Sequence, residues 1–203
     1  MQLLHIDSSV LGAHSVSRAL SAEIVARQIA LRPDISVVRR DLATDTALHL
    51  SGAHLAAWQG GSVRDAELDA DLAKGNAYLD EVFAADIIVI GAPMYNFSIP
   101  SQLKAWIDRV VIAGKSFRYG PNGAESLLPK NKKVFIASSR GSVYTGGAPA
   151  AALEHHESYL TGVLSFIGLS DLTIIRAEGI ALGAAAKEAS VAQARANIAA
   201  IAA

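Results

Sequence analysis

Three stretches of the sequence carry groups that could hold a phosphorylated ligand. In the first, residues 8–18, four serines surround the start of a predicted helix: Ser8, Ser9, Ser15 and Ser17. A helix N-terminus has unpaired N–H groups and a partial positive charge, which suit a phosphate. Serine also caps helices without any ligand, so phosphate binding and ordinary capping both stay open for this loop.

The second stretch, residues 93–100, is too apolar and aromatic for an ordinary solvated turn. Met94, Tyr95 and Phe97 are either core residues that plug the end of the sheet or one wall of a slot for a flat ligand. Asn96 would then be the polar contact of that wall. The sequence alone therefore offers two interpretations of this loop.

The third stretch, residues 138–147, is small, polar and rich in glycine. Its backbone can approach a flat ligand closely, and its N–H groups can bond ring carbonyls and nitrogens. A phosphate cradle, an aromatic wall and a polar rim together predict a flat aromatic ring with polar edges and a monophosphate tail. FMN is a molecule of this kind.

Two common phosphate-binding motifs are absent. No Gly-x-Gly-x-x-Gly motif follows the first predicted strand, which argues against a dinucleotide site there. Gly114-Lys115-Ser116 resembles the end of a P-loop, but Arg109 stands where that motif requires glycine. The segment also follows a predicted helix instead of a strand, so we do not interpret it as a phosphate site.

Other chemistries fit the sequence less well. His155-His156-Glu157 could suggest a metal site, but adjacent helical residues point about 100° apart, so a solvated helix start is the better interpretation. Asp7 could belong to a phospho-acceptor domain, but the third predicted strand ends without an aspartate. The Gly-x-Ser-x-Gly elbow of α/β hydrolases is absent. Trp106 is predicted to be a core residue. No metal is expected.

Composition narrows the class of protein further. Because the chain has 203 residues, residues 1–203 are predicted to form a single domain, and an apolar fraction of 51% is enough for a substantial core. The 18 basic and 19 acidic residues give a net charge of −1, which predicts neither a nucleic-acid nor a membrane partner. Thiolate and disulfide chemistry is excluded because there is no cysteine. The sequence shows no secretory signal or membrane helix, so we expect a cytoplasmic protein.

Strand-like and helical patterns alternate along the chain. An apolar run such as residues 87–91 is typical of a central parallel strand. Five strands separated by helices predict an α/β fold with a doubly wound parallel sheet and helices on both faces. The predicted strands are 3–7, 35–39, 87–91, 134–138 and 172–175. The predicted helices are 16–31, 51–59, 65–84, 101–112, 155–167 and 184–203.

In such a sheet, ligands bind at the carboxyl ends of the strands. The three candidate stretches follow the first, third and fourth predicted strands, so the topology places them at one edge. A turn at residues 120–123 precedes the fourth strand and marks a small excursion from the sheet.

Several of these residues also resemble a known family. The sequence resembles the FMN-dependent NADH-azoreductases and NADH:quinone oxidoreductases in four motifs: Ala92-Pro93-Met94-Tyr95-Asn96-Phe97, Gln102-Leu103-Lys104, Phe117-Arg118-Tyr119 and Ser139-Arg140-Gly141. The resemblance covers essentially the whole chain. It implies a flavodoxin-like fold with strand order 2-1-3-4-5. It also implies a homodimer with one FMN per protomer and the sites at the subunit interface.

The resemblance assigns roles to individual positions. Ser9, Ser15, Val16 and Ser17 would hold the FMN phosphate. The flavin ring would contact Pro93, Met94, Tyr95, Asn96, Phe97, Ser139, Arg140, Gly141, Ser142 and Tyr144. The family often has glycine in place of Ser142 and histidine in place of Tyr144, which leaves the substrate range and flavin potential open. Tyr119 and Val163 are candidate substrate contacts.

The implied activity is two-electron transfer from NADH or NADPH through FMN. The acceptors would be quinones, reduced to hydroquinones, and aromatic azo compounds, cleaved to two amines after two rounds of transfer. One site used twice predicts ping-pong kinetics. The hydride would be carried by the flavin N5, so no side chain is assigned as catalytic. Two alternatives stay open: a flavodoxin-like electron carrier and a non-catalytic FMN-binding module.

Overall fold

The computed structural model describes residues 1–61 and 65–202. Its main sheet has five parallel strands, which are β1 Gln2–Asp7, β2 Ser36–Asp41, β3 Ile87–Pro93, β6 Lys133–Ser139 and β7 Asp171–Ala177. They lie in the order β2-β1-β3-β6-β7. Because β6 and β7 are the fourth and fifth strands of this sheet, the predicted order 2-1-3-4-5 is confirmed.

Strand β3 lies at the centre of the sheet, and all seven of its residues are buried. Successive side chains of a strand point to opposite faces, so a strand covered on both sides must be apolar throughout. Accordingly, Ile87 and Val89 belong to one buried apolar cluster, whereas Ile88 and Ile90 belong to another. The two clusters therefore lie on opposite faces of the sheet.

Helices pack against both of these clusters. The helices are α1 Val16–Leu31, α2 Gly52–Trp58, α3 Ala66–Ala84, α4 Ser101–Val110, α5 Glu157–Phe166 and α6 Ala184–Ala199. Leu20 of α1 and Ile198 of α6 belong to the first cluster, and Trp106 of α4 and Leu164 of α5 belong to the second. Trp106 is fully buried, as predicted. Short 3-10 turns occupy Gly12–His14 and Ala151–Leu153.

The boundaries differ from the predicted ones at several strand and helix ends. β3 continues through Pro93, because Pro93 pairs in register with Ser139. β2 continues to Asp41, beside Asp7 of β1, although its final residues are polar. The last helix ends at Ala199, short of the predicted end at residue 203, which lies outside the described residues.

The predicted excursion before the fourth strand of the sheet is an antiparallel hairpin. Its strands, β4 Phe117–Gly120 and β5 Gly123–Ser126, meet at the predicted turn. Within residues 1–61 and 65–202, no helix combines the length and apolar character needed to cross a membrane.

Candidate functional site

Three neighbouring strands end together and bring the three candidate loops to one edge of the sheet. In the register of the sheet, Asp7 of β1 lies beside Gly91 of β3, and Pro93 of β3 lies beside Ser139 of β6. The serine loop follows β1 and is residues 8–15. The aromatic loop, residues 94–98, follows β3, and the rim loop, residues 140–147, follows β6. The structure thus brings together the three loops that the sequence singled out.

The serine loop ends at the N-terminus of α1. Ser15 is the N-cap, and its hydroxyl accepts a hydrogen bond from the N–H of Arg18 at 3.3 Å. The hydroxyls of Ser15 and Ser17 lie 3.0 Å apart, and both residues are buried. The N–H groups of Val16 and Ser17 cannot bond within the helix, because the first turn of any helix lacks acceptors for them. Ser15 therefore caps the helix, and the N–H groups of Val16 and Ser17 stay available as donors next to the hydroxyls of Ser15 and Ser17.

Two further serines of this loop differ in how they are used. The hydroxyl of Ser8 donates to the carbonyl of Gly91 at 2.7 Å, so Ser8 anchors the loop to β3. The hydroxyl of Ser9 lies 3.1 Å from the phenol oxygen of Tyr95. That phenol oxygen also accepts from the N–H of Val10 at 3.3 Å. Tyr95 consequently ties the aromatic loop to the serine loop.

Arg18 holds the serine loop through its side chain, a role that was not predicted from the sequence. Its guanidinium donates to the carbonyl of Ser9 at 2.8 Å and to both carboxylate oxygens of Asp41. The hydrogen bonds to Asp41 raise the pKa of Arg18 and lower that of Asp41, despite the opposing effect of burial. Asp7 lies 3.7 Å from the same guanidinium. The charge of Arg18 is therefore largely neutralised by the protein.

The aromatic loop is a tight turn with an uncommon backbone conformation. The N–H of Tyr95 donates to the carbonyl of Ser98 at 2.9 Å, and the reverse bond measures 3.1 Å. Between them, Asn96 and Phe97 have φ angles of 48° and 71°. Such angles are uncommon for residues other than glycine and cost free energy, so they persist only where surrounding contacts impose them. One such contact is the bond from the N–H of His155 to the carbonyl of Phe97.

Exposure decides between the two interpretations of the aromatic loop. The side chain of Phe97 is 44% exposed, so it does not plug the end of the sheet. Met94 and Tyr95 are half-buried, whereas Pro93 is buried as the last residue of β3. The loop therefore presents an apolar wall to its surroundings instead of completing the core.

An open cleft lies beside the aromatic loop. Its volume is about 540 Å³, and its lining residues come from the serine loop, the aromatic loop and the residue after it, α4 and α5: Val10, Tyr95, Asn96, Ser98, Ile99, Ser101, Gln102, Lys104 and Tyr159. Clefts of several hundred cubic ångströms are typical of small-molecule sites. Lys104 is the cationic member of this lining, and it is paired with Asp108 at 2.5 Å.

The rim loop uses the carbonyls of residues 140–142 internally and leaves the N–H groups of residues 141–143 available. The carbonyls of Arg140, Gly141 and Ser142 accept hydrogen bonds from residues 179–181 at 2.9–3.2 Å. Within the part of the chain that the structure describes, the N–H groups of Gly141, Ser142 and Val143 have no hydrogen-bond acceptor. Three consecutive unpaired donors form a site that suits carbonyl oxygens or an anionic ring edge.

The side chain of Arg140 does not line this rim. It is 1% exposed and donates to Glu178 at 2.8 Å, with Glu157 at 3.6 Å and Glu154 at 3.8 Å. The predicted contact of Arg140 with a ligand is therefore restricted to its backbone. Its guanidinium also lies 5.5 Å from the centre of the Tyr144 ring, so that Tyr144 packs on the same buried group.

The two predicted substrate residues lie on separate elements. Tyr119 is 75% exposed on the hairpin and packs edge-to-face on Phe117 at 5.4 Å. Phe117 in turn contacts Phe166 at the end of α5 at 4.7 Å. Val163 of α5 is half-buried against the second apolar cluster. The hairpin is thus docked at one end of the helix that carries Val163.

The predicted solvated helix start at His155-His156-Glu157 is wrong for its last two residues. His156 is fully buried and Glu157 nearly so, and only His155 is exposed. Burial lowers the pKa of His156 to about 4. Glu157 accepts from the hydroxyl of Ser138 at 2.6 Å and pairs with Arg176. Residues 154–157 pack against the rim loop, with Glu154 and Glu157 close to Arg140. This burial depends on tertiary contacts, so the local helix pattern does not reveal it.

Comparison with protein families places the chain among proteins of known fold. Residues 1–202 match the family model described as a flavodoxin-like fold. An FMN-dependent NADH:quinone oxidoreductase of Sinorhizobium fredii is 53% identical over 199 residues, which span 98% of this chain and 96% of that protein. A protein of the same description from Methylocella silvestris is 54% identical over 195 residues, spanning 96% and 95% of the two chains.

Solved structures agree with this placement. The crystal structure of an azoreductase from Bacillus anthracis superposes with a TM-score of 0.86 and 26% identity, covering 98% of this chain and 97% of that one. The azoreductase AzrA gives the same TM-score and coverage at 27% identity. An FMN-dependent NADH-azoreductase of Bacillus anthracis in complex with FMN has a TM-score of 0.85, covers 98% of both chains and, at 23% identity, supports the fold alone.

Proposed function

The chain belongs to the flavodoxin-like fold family, and on that premise we propose that it is an FMN-dependent NADH:quinone oxidoreductase that also cleaves aromatic azo compounds. The observation that carries this proposal is the meeting of the serine, aromatic and rim loops at one edge of the sheet. The relatives described as FMN-dependent NADH:quinone oxidoreductases, at 53–54% identity over nearly the full chain, support the same activity.

The residues present fit FMN. The two neighbouring hydroxyls of Ser15 and Ser17, with the free N–H groups of the first helical turn, suit its phosphate. The exposed aromatic wall suits its flat ring, and the unpaired N–H groups of residues 141–143 suit its polar pyrimidine edge. We assign cofactor contacts to Ser9, Ser15, Val16, Ser17, Pro93, Met94, Tyr95, Asn96, Phe97, Ser139, Gly141, Ser142, Tyr144 and the backbone of Arg140.

The protein would orient the flavin and stabilise its reduced form, and the cofactor would supply the redox chemistry. Bound FMN would supply the hydride acceptor for NADH and the two-electron donor for the substrate, used once for a quinone and twice for cleavage of an azo compound to two amines. The rim N–H groups would stabilise negative charge that develops at the ring edge during reduction. Phe97 and the half-buried aromatic loop would exclude water from the ring face. No side chain is assigned as catalytic, and Tyr119 and Val163 remain candidate substrate contacts.

A homodimer with one FMN per protomer is part of the proposal. Exposed apolar side chains cluster in sequence around the site loops: Val10, Leu11, Phe97, Val143 and Leu153. Apolar residues of this kind at a ligand site support a subunit interface there. Light scattering of the purified protein should give the mass of a dimer, and a monomer with full activity would contradict an interfacial site.

The proposal also includes a single doubly wound domain. The two apolar clusters, which draw α1 and α6 to one and α3, α4 and α5 to the other, support this arrangement. The cytoplasmic location stays a prediction from the sequence. The sequence leaves the choice between NADH and NADPH open, and the descriptions of the relatives, which name NADH, support NADH.

The absorption spectrum of the purified protein tests cofactor identity. We expect bound flavin in a ratio of one per protomer, released on denaturation as FMN. FMN-free protein should gain thermal stability on adding FMN but gain little on adding riboflavin, which lacks the phosphate. A colourless protein whose melting temperature does not respond to FMN would contradict the proposal.

A further inference from the structure

Glu178 joins the rim loop to the buried charge beneath it. It follows the last residue of β7, and its carboxylate accepts from the N–H of Tyr144 at 3.0 Å and from the hydroxyl of Thr145. The same carboxylate accepts from Arg140 at 2.8 Å. Three donors from three rim-loop residues thus converge on two oxygens of one side chain.

These bonds bracket the unpaired donors of the rim. Arg140 lies immediately before residues 141–143 and Tyr144 immediately after them, and both are bound to Glu178. Backbone N–H groups of residues 179–181 donate to the carbonyls of residues 140–142. Each of these carbonyls shares a rigid peptide plane with the N–H group of the next residue, so these bonds set the direction of the three free N–H groups. Glu178 directly precedes residues 179–181 and ties that segment to Arg140 and Tyr144, so the bonds that aim the N–H groups depend on it.

The carboxylate is held in its ionised form. Burial favours the neutral acid, but hydrogen bonds from Thr145 and Tyr144 and the charge of Arg140 outweigh it and lower the pKa of Glu178. An ionised carboxylate accepts at both oxygens, which is what three donors require. Glutamine at the same place would offer one neutral oxygen to Arg140 and Tyr144, and the Thr145 hydroxyl would have to accept from its NH₂ group instead of donating. The bonds that hold Arg140 and Tyr144 would therefore lose their charge assistance and weaken.

We propose that Glu178 is a positioning residue that orients the N–H donors of residues 141–143 toward the reduced, negatively charged form of the bound flavin. This inference rests on the proposed function, since it specifies how the same site favours reduced FMN. Glu178 acts through the rim loop and is assigned no contact with the cofactor.

The sign of its effect separates this role from a simple charge effect. If Glu178 acted only as a nearby negative charge, neutralising it would favour the negatively charged reduced flavin. If it positions donors, neutralising it disorders them and disfavours the reduced flavin. The ratio of the dissociation constants for reduced and oxidised FMN reports this sign directly.

The test compares wild-type protein with Glu178→Gln, using FMN as the probe in both oxidation states. We expect the reduced-to-oxidised ratio of dissociation constants to rise about tenfold, equivalent to a fall of about 30 mV in the two-electron potential. Glu23→Gln is the matched control, because Glu23 also pairs with an arginine, Arg195, but on an exposed helix face. It should leave the ratio unchanged. An unchanged or lowered ratio in Glu178→Gln would overturn the inference.

A second readout does not depend on the cofactor. Amide hydrogen exchange of Tyr144 in FMN-free protein should accelerate about tenfold in Glu178→Gln, and equal protection in both proteins would overturn the inference. If wild-type protein bound no FMN, the proposed function would fail while this readout still judged the role of Glu178. Thr145→Val, which keeps the pair with Arg140, should raise the ratio in the same direction by a smaller factor. If Glu178→Gln does not fold, Thr145→Val decides, and an unchanged ratio there would overturn the inference.

Discussion

At the scale of single residues, a buried histidine links the stability of the fold to pH. His156 is fully buried, and neither ring nitrogen makes a well-formed hydrogen bond within residues 1–61 and 65–202. Burial lowers its pKa to about 4, although Glu157, Glu154 and the nearby backbone of Ala92 act in the opposite direction. In the unfolded chain, a histidine has its ordinary pKa of about 6.5.

This difference predicts a loss of stability in mild acid. Between pH 6.5 and about 4, the unfolded chain binds the proton that folded His156 refuses, so protonation favours unfolding as the pH falls. Urea unfolding should show about 2 kcal/mol less stability at pH 5 than at pH 7 from this group alone. The loss should disappear in His156→Gln and remain in His155→Gln, whose side chain is exposed in the native protein. Equal pH dependence in all three proteins would refute it.

Ser15 offers a residue-scale test of the phosphate cradle. Aspartate is as good an N-cap as serine, so Ser15→Asp should preserve α1 and the melting temperature of the FMN-free protein. A carboxylate beside the phosphate should nevertheless raise the dissociation constant of FMN by a factor of about ten or more. Isothermal titration calorimetry provides the measurement.

The matched control for this change is Ser51→Asp, at the exposed N-cap of α2. It places the same charge at the same helical position away from the three loops, and FMN affinity should stay the same. A similar loss of affinity in both variants, or none in Ser15→Asp, would contradict the cradle.

Sequence pattern predicted where those candidate site residues lie that come at or just after the end of a strand. Ser15, Tyr95 and Ser139 are recognisable because parallel strands end at one edge. Arg140 is different, since its guanidinium is drawn inward by carboxylates 14 to 38 positions later in the chain. Arg18 and His156 are likewise defined by distant partners and by burial, which no local spacing encodes.

At the scale of elements, one glycine allows α1 to approach the sheet. A Cβ atom added to Gly91 of β3 would lie 2.6 Å from a carboxylate oxygen of Asp7 and 3.1 Å from the hydroxyl of Ser21. It would also lie 3.4 Å from the carbonyl of Ser17 in the first turn of α1. The N-terminus of α1, where Ser15 and Ser17 lie, can therefore pack this closely on β3 only because residue 91 is glycine.

Gly91→Ala should accordingly weaken both stability and cofactor binding. We expect a loss of about 1–3 kcal/mol from overpacking, together with a several-fold higher dissociation constant for FMN as α1 shifts. Chemical denaturation and fluorescence titration measure the two effects. Gly162→Ala on α5 is the control, because a Cβ there meets no atom within 4 Å. It should gain up to about 1 kcal/mol from helix propensity. If Gly91→Ala behaved like this control, α1 could accommodate a Cβ atom at position 91, and the close approach would not depend on glycine.

The bounds of a strand or helix were predicted more accurately where its sequence pattern was stronger. The start of β3 and both ends of α1 follow from a continuous apolar run and a capped helix. The hairpin was predicted only as a turn, because β4 and β5 have four residues each and little apolar alternation. The extension of β2 to Asp41 depends on pairing with β1 and is invisible in its polar sequence.

At the scale of the whole molecule, the sheet order determines where function can reside. Placing β1, β3 and β6 side by side brings a phosphate cradle, an aromatic wall and a donor rim together from three distant parts of the chain. The segment 154–157 contacts both the aromatic loop, through the bond from His155 to Phe97, and the rim loop, through the carboxylates near Arg140. The chain has no cysteine, and no side chain is assigned as catalytic. In the proposed function, the redox chemistry is therefore carried by the flavin that these three loops would hold.

The most direct test of the proposed activity is steady-state oxidation of NADH with a simple benzoquinone, by FMN-loaded and FMN-free protein at several concentrations of both substrates. We predict activity that requires FMN, with parallel lines in double-reciprocal plots because both substrates use one site in turn. An electron carrier or a non-catalytic FMN-binding module would bind FMN and show almost no turnover. An FMN-loaded protein without NADH:quinone turnover would contradict the central claim.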